Sequence, residues 1–446
     1  MTIALEKTGA VPARADAAER AADKAMLRLL PWLLLMYIFA YLDRANLGFA
    51  KNAFQASTGI SEASYAFGAG IFSIAYASIE IPSNILLRRF GARRWLARIM
   101  ISWGIVSACM MFVNSATSFY IVRVLLGIAE AGFFPGAVYF MTQWFPDNRR
   151  ARVMGLFYFG APLSFVFGGP LSGFLLDADG SWGLHGWQWM FLVEGLLASA
   201  VGVVVLFTLA DSPAKAKWLT AEESTALSAV IAAEERHKAA HGVHDLLAGL
   251  LNWRVLYLGL IYFLIQICVS GVVYYLPAQV GRLLGRNVGF VVGVVTAIPW
   301  ACAIVACIVV PRIAEMTGQR RIVACATMLA CATGVSLSSA LAPVPVAALA
   351  ALCVAVAGFI AVQPLFWTFP AAYLGGGAAA AGLALVNTIG ALAGFVAPNY
   401  RLWADVTFGA GAGLYALGLT TVLGAIMIAL TAIVLRPNTN PNIRPG

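Results

Sequence analysis

The chain has 446 residues, 61% of them hydrophobic and 11% charged, with a mean hydropathy of +0.84. The apolar share lies well above that of soluble domains and the charged share well below it, which excludes a water-soluble globular fold and leaves a polytopic membrane protein. A formal net charge of +9 would suit a nucleic-acid partner, but most arginines sit in short loops between long apolar segments. There they orient a membrane protein, so no nucleic-acid partner is expected.

Residues 1–28 mix both charge signs (Lys7, Arg14, Asp16, Glu19, Arg20, Asp23, Lys24, Arg28) and run straight into an apolar segment with no small-residue cleavage site. They read as a cytoplasmic tail, not a signal peptide. On a ruler of about 20 apolar residues per crossing, twelve spans follow: 29–50, 64–87, 95–113, 118–142, 152–175, 187–210, 254–279, 288–310, 321–341, 345–369, 379–402 and 408–435. The predicted fold is an all-α membrane protein of two six-helix bundles, 29–211 and 253–436. A cytoplasmic connector, 212–252, joins them, and a tail, 437–446, follows. In the connector, Thr220 and Glu223 have capping-box spacing and start a helix too charged to cross a membrane.

Loops on one side hold Arg88, Arg89, Arg93 and Arg94, then Arg149, Arg150 and Arg152, then Arg312, Arg320 and Arg321. The other side has only Lys51, Arg282, Arg286 and Arg401, so both termini are expected in the cytoplasm. The halves repeat: "RRFGARR" (Arg88–Arg94) and "EMTGQRR" (Glu315–Arg321) follow the second span of each, and the same offset relates Gly155 to Gly382. Two repeated six-helix halves make a transporter architecture, with a site expected at midplane between them.

These features resemble the major facilitator superfamily. Within it, "YLDRANLGFA", "EIPSNILLRRFGARRWLARIMISWG", "FYIVRVLLGIAEAGFFPGAVYFMTQWFP", "GGPLSG", "GWQWMFLVEG" and "SPAKAKWLTAEE" resemble the anion:cation symporter family, densely in the first half and thinly in the second. One departure is that Asn84 and Arg88 stand where Gly and Asp are usual in the superfamily's loop. The resemblance implies a monomer in the bacterial inner membrane that carries small organic carboxylates (tartrate-like, sugar or aromatic acids). It implies the proton as coupling ion and no cofactor. By matched motifs it assigns proton coupling to Asp43 and Glu130 and the carboxylate and coupling to the arginines. It also places Trp367 and Asn387 on the cavity wall.

The residues support the same reading on physical grounds. An ionisable side chain at the bilayer centre costs about 2.5–3.5 kcal/mol on insertion scales, so each is a functional candidate: Asp43, Arg44, Glu80, Arg123, Glu130 and Glu194. Arg123 and Glu130 are two turns apart on one helix face, expected toward the cavity; the alternative is a pair that locks two helices together. Asp43 and Arg44 are adjacent and point about 100° apart. One should face the cavity while the other reaches the fourth or fifth span, unless the two merely reduce each other's insertion cost. An Arg fork suits a carboxylate and keeps its proton, whereas a coupling proton needs a buried acid. Arg44 is favoured over Arg123 as the substrate contact.

Around them, Tyr41 and Tyr76 are candidate wall residues, joined in the second half by Gln266, Tyr274, Gln363, Trp367 and Asn387. Glu80, before Pro82, and the loop residues Arg88, Gly91, Arg94, Gly318 and Arg321 are read as gating or structural. Glu194 is read as structural. The glycines of the fifth and eleventh spans are read as close-packing positions on which helices rock.

His237, His241 and His244 have helical spacing that resembles a metal site, but Gly242 interrupts it and no fourth ligand is evident, so no metal is expected. The seven cysteines lie in apolar segments without a Cys-x-x-Cys pair and read as small core residues. There is no GxSxG, HExxH or Walker A pattern, so neither an enzyme nor an ATP-driven pump is expected. The leading reading is a proton symporter for a small organic anion. An anion exchanger, a non-transporting sensor and an intramembrane enzyme are the rivals. Sensors on such scaffolds usually add a large cytoplasmic domain, and an enzyme needs a nucleophile–base pair at depth.

Overall fold

With no water to satisfy backbone N–H and C=O groups, an apolar segment must bond its own backbone, and helices result. The computed structural model describes the backbone of residues 7–241, 252–373 and 378–435, and most side chains within them. In chain order the α-helices are α1 (Lys7–Thr58), α2 (Glu62–Phe90), α3 (Ala92–Ala108), α4 (Ala116–Glu130), α5 (Phe133–Thr142) and α6 (Asp147–Tyr158). Then come α7 (Gly160–Leu176), α8 (Gly186–Thr208), α9 (Ala221–His241), α10 (Trp253–Val273), α11 (Leu276–Leu284) and α12 (Phe290–Thr317). The last five are α13 (Arg320–Ala340), α14 (Pro345–Tyr373), α15 (Ala378–Ala391), α16 (Ala393–Phe408) and α17 (Ala412–Val434).

Among the described residues, 11 helical stretches are long and apolar enough to cross a membrane. They match eleven of the twelve expected spans. The remaining one, 379–402, is built as α15 and α16, each too short alone, joined at Leu392.

By contacts the chain groups into two units, Met1–His241 with Val272–Ala301, and Gly242–Gly271 with Cys302–Gly446. The end of α10, all of α11 and the start of α12 therefore pack within the first unit. Glycines permit this. A Cβ on Gly169 of α7 would meet the Gly293 carbonyl at 2.8 Å, and one on Gly173 would meet the Gly289 carbonyl at 2.4 Å. Phe165 and Trp300 stack beside them with ring centroids 3.7 Å apart. Gly104 and Gly195 bring α3 and α8 together in the same manner, each facing the other's carbonyl.

The first span differs from its expected form. The stretch expected as a tail is helical from Lys7 and continuous with the span, so that α1 runs unbroken to Thr58. Ala17, Ala21 and Ala25 are fully buried, a stripe at four-residue spacing on one helical face. Lys24 Nζ donates to both Glu223 oxygens at 2.7 and 2.9 Å, and the Arg28 guanidinium lies 5.5 Å from the Trp218 ring. Arg149 pairs with Asp23 and Arg150 with Glu234. The expected capping box forms: Glu223 N donates to Thr220 Oγ1 and Thr220 N to Glu223 Oε2. The Lys24 hydrogen bond, then the Thr220 N–H, holds the Glu223 carboxyl below its ordinary value. This depressed pKa contributes stability above the ordinary carboxyl range, and the contribution is lost as pH falls through the depressed value.

The repeated loops share a backbone feature: Gly91 has φ of +87° and Gly318 of +67°, a region costly for side-chain-bearing residues. Asp211, just past α8, accepts the Arg93 N–H at 3.0 Å and so caps the start of α3. The described part of the Arg88 loop is thereby held by an acid from another segment. The Arg88 side chain lies outside the described residues, and Arg94 is exposed.

Candidate functional site

The fourth span is not one helix. Ala131 has ψ of 130° and Gly132 φ of +85°, which ends α4 at Glu130 before α5 begins. Pro135 lacks an N–H and so forms no bond back across this break. The freed Ala131 carbonyl accepts from Ser83 Oγ at 2.6 Å, and Ser83 in turn accepts from the Trp95 indole at 3.0 Å. Only glycine fits at 132, since a Cβ there would lie 2.4 Å from Ser83 Oγ. The break leaves Glu130 at the last turn of α4, completely buried.

Arg44 meets it from α1. Its Nη2 donates to Glu130 Oε1 at 2.5 Å, while the other Glu130 oxygen has no hydrogen-bond partner among the described residues. The guanidinium lies 5.4 Å from the Tyr41 ring, 5.6 Å from Phe72 and 5.7 Å from Tyr76. Three aromatic faces thus stabilise the cation. The Arg44 side chain is 28% exposed, whereas Glu130 is closed to solvent. Of the pair, the arginine is the more accessible.

Asp43, the next residue on α1, points elsewhere. It accepts from Ser107 Oγ on α3, and its Oδ2 has no partner among the described residues. The two adjacent charges therefore diverge as helical geometry requires, Arg44 to α4 and Asp43 to α3. Arg123, in contrast, shares a helix face with Glu130 in sequence spacing but is not its partner. Its Nε donates to the Gly68 carbonyl at 3.1 Å and its Nη2 to that of Ala69 at 3.2 Å, both on α2. Its guanidinium also lies 4.8 Å from the Phe72 ring. Arg123 is 2% exposed, so it binds backbone in the interior.

The remaining candidates divide between the units. Tyr41 and Tyr76 are brought to Arg44, as described. Tyr274 groups with the first unit, where its carbonyl accepts from the Tyr65 hydroxyl at 3.3 Å. Glu80 is half-buried, and its carbonyl accepts from Asn84 at 2.8 Å. In the second unit, Trp367 packs against Tyr262 at 4.9 Å. Its indole N–H and the Gln266 Oε1 are buried without a hydrogen-bond partner among the described residues. Asn387 is half-buried on α15, and Gln363 donates to the Phe359 carbonyl at 3.3 Å. Arg321 donates to Thr431 Oγ1 at 3.1 Å. The His237 and His241 side chains and all of His244 lie outside the described residues. All seven cysteines are free.

Sequence reasoning missed Phe72, Ser83, Ser107 and Asp211. The dipeptide Ala131–Gly132 ahead of Pro135 was a visible sign of the break; nothing in the sequence alone tied Ser83 to it.

Residues 33–398 match the family described as Major Facilitator Superfamily. The chain is 48% identical over 406 residues to the inner membrane transport protein RhmT of Escherichia coli, covering 91% of this chain and 94% of the relative. It is 41% identical over 426 residues to a protein of Agrobacterium vitis named for tartrate transport, covering 96% and 93%. These relatives are consistent with the anion:cation symporter type. The xylose transporter XylE of E. coli, in a partially occluded inward open conformation, has a TM-score of 0.73 at 17% identity, covering 94% of this chain and 100% of that one. The last likeness concerns the fold alone. The chain belongs to the major facilitator superfamily, and it is a multi-pass membrane transporter, not an enzyme.

Proposed function

We propose that the chain imports a small organic carboxylate by proton symport through alternating access, as a monomer in the bacterial inner membrane with both termini cytoplasmic. The proton is the coupling ion, and no further cofactor takes part. The observation that carries this reading is the Arg44–Glu130 ion pair at 2.5 Å within its ring of aromatics.

An ion pair in a low-dielectric interior balances two charges, and removing one leaves the other uncompensated, a change of about 3–5 kcal/mol in buried pairs. Protonating Glu130 would release Arg44 to seek another anion. A substrate carboxylate satisfies the planar fork through both oxygens. When Glu130 gives up its proton to the cytoplasm, it reclaims Arg44 and the substrate leaves. The partial exposure of Arg44, beside a fully buried Glu130, suits this exchange of partners.

A pure exchanger would need the arginine but no titrating acid, and the acid paired with Arg44 therefore favours symport. The relatives named for tartrate transport support a carboxylate substrate; hydroxy acids, sugar acids and aromatic acids are the classes to be tried.

The carboxylate assignment is tested by the melting temperature of purified protein with each acid beside its neutral amide, since a ligand of the native state raises Tm. At a ligand concentration 100 times Kd the stabilisation is about 2.7 kcal/mol. The acid is expected to raise Tm and the amide to leave it unchanged. Equal stabilisation by both would remove the carboxylate reading.

A further inference from the structure

Glu194 on α8 has no role in the exchange just described, yet its setting is not that of a structural acid. It is 3% exposed, and among the described residues no Lys, Arg or His pairs with it. Its Oε1 accepts from Ser172 Oγ of α7 at 2.9 Å, while Oε2 has no hydrogen-bond partner among the described residues. The Asn46 side chain lies beside the carboxyl and also accepts from Ser172 at 3.4 Å.

The neighbours matter as much as the contacts. Glu194 and Asp43 line one narrow crevice with Phe39, Leu42, Asn46 and Ala198, too constricted for a water molecule. Both acids have one oxygen without a partner, Glu194 Oε2 and Asp43 Oδ2. From α1 the groups facing Glu194 are Asp43 and Asn46, and from α7 Ser172. From α3, Ser107 and Trp103 adjoin Asp43, whose charge Arg123 and Arg44 help to balance. Two carboxylates cannot both be ionised in so dry a space when the cations serve only one of them.

We infer that Glu194 is a further proton-carrying residue, holding a proton on Oε2 while Asp43 carries the charge and releasing it when Asp43 is protonated, the two acids being linked through their charges in one crevice. In the coupled step an O–H bond forms at Asp43 with a proton from water, and the O–H bond at Glu194 breaks with its proton passing to water as the carrier opens. The negative charge moves from Asp43 to Glu194, where the Ser172 hydroxyl and Asn46 amide receive it. Asp43 would thus take part in coupling with a proton reserve one helix away. A metal cation would need room for several oxygen ligands at bonding distance, and the crevice is too narrow for that.

This inference rests on the symport reading, and its test separates the two. Infrared difference spectra of wild type and Glu194→Gln at neutral pH are compared in the region of the protonated carboxylic acid C=O stretch. One such band is expected to vanish in E194Q and to shift in Glu194→Asp. The second variant serves equally if E194Q does not fold. In proteoliposomes, E194Q is expected to lose about tenfold of accumulation per unit of pH gradient, the worth of one proton, with partial recovery in E194D.

An unchanged infrared band, or accumulation equal to wild type, overturns the inference. So does a sodium-dependent rise in Tm that E194Q abolishes, which would assign the crevice to a metal cation. If wild type itself shows no gradient-driven accumulation, the symport reading fails while the infrared band still decides the protonation of Glu194.

Discussion

Glu130→Gln is expected to keep counterflow exchange of the carboxylate and to abolish its accumulation against a pH gradient. Glutamine keeps the size of the side chain and can still accept a hydrogen bond from Arg44, so the variant should fold. It also mimics the protonated acid, the state in which Arg44 is free for substrate. Exchange needs only that the loaded carrier reorient, whereas net uptake needs the empty carrier to return with Glu130 deprotonated and paired to Arg44 at 2.5 Å. With an imposed gradient of about one pH unit, each coupled proton supports about tenfold accumulation. For E130Q the ratio of internal to external substrate should stay near one. Loss of exchange together with accumulation would move Glu130 from coupling to binding or structure.

The second large effect is expected at Arg44. Arg44→Lys keeps the charge but replaces the planar fork with a point charge, removing one of the two paired hydrogen bonds to a carboxylate. Hydrogen bonds to charged groups contribute about 1.5–3 kcal/mol each, so affinity should fall by roughly 10- to 150-fold. Arg123→Lys should behave differently. Arg123 is 2% exposed and bonded to the Gly68 and Ala69 carbonyls, so its replacement is expected to lower Tm while the folded fraction binds substrate normally. Isothermal titration on both variants, corrected for folded fraction, distinguishes the two. Normal affinity in R44K with lost affinity in R123K would reverse the assignment.

What could be read from the sequence was set by cost. Apolar runs in a bilayer must be helices, and a charge placed inside one stands out because it is expensive, so the spans and the residues Asp43, Arg44, Arg123 and Glu130 were legible without coordinates. Partnerships were not. The seven-residue spacing of Arg123 and Glu130 puts them on one face of α4. A long Arg side chain can nonetheless satisfy itself on the carbonyls of a neighbouring helix, and Arg123 does so on α2. The break at Ala131–Gly132 depends on Ser83, a residue far away in sequence.

The charges of residues 1–28 mark a cytoplasmic tail but give no sign that it continues the helix of α1. The alanines at 17, 21 and 25, in helical register and fully buried, were the overlooked sign. A place near a span end makes Glu194 read as structural in sequence. Only the three-dimensional neighbourhood shows an acid beside Asp43 that no cation pairs among the described residues.

The central claim is that a proton gradient drives this protein's uptake of a carboxylate. Its most direct test is uptake of a labelled acid, chosen by the Tm screen, into proteoliposomes containing the wild-type protein and no internal substrate, with the pH outside set below that inside. Accumulation above the external concentration, abolished by a protonophore, is the predicted result. Uptake that ignores the gradient and appears only when substrate is preloaded inside would contradict it and identify an exchanger.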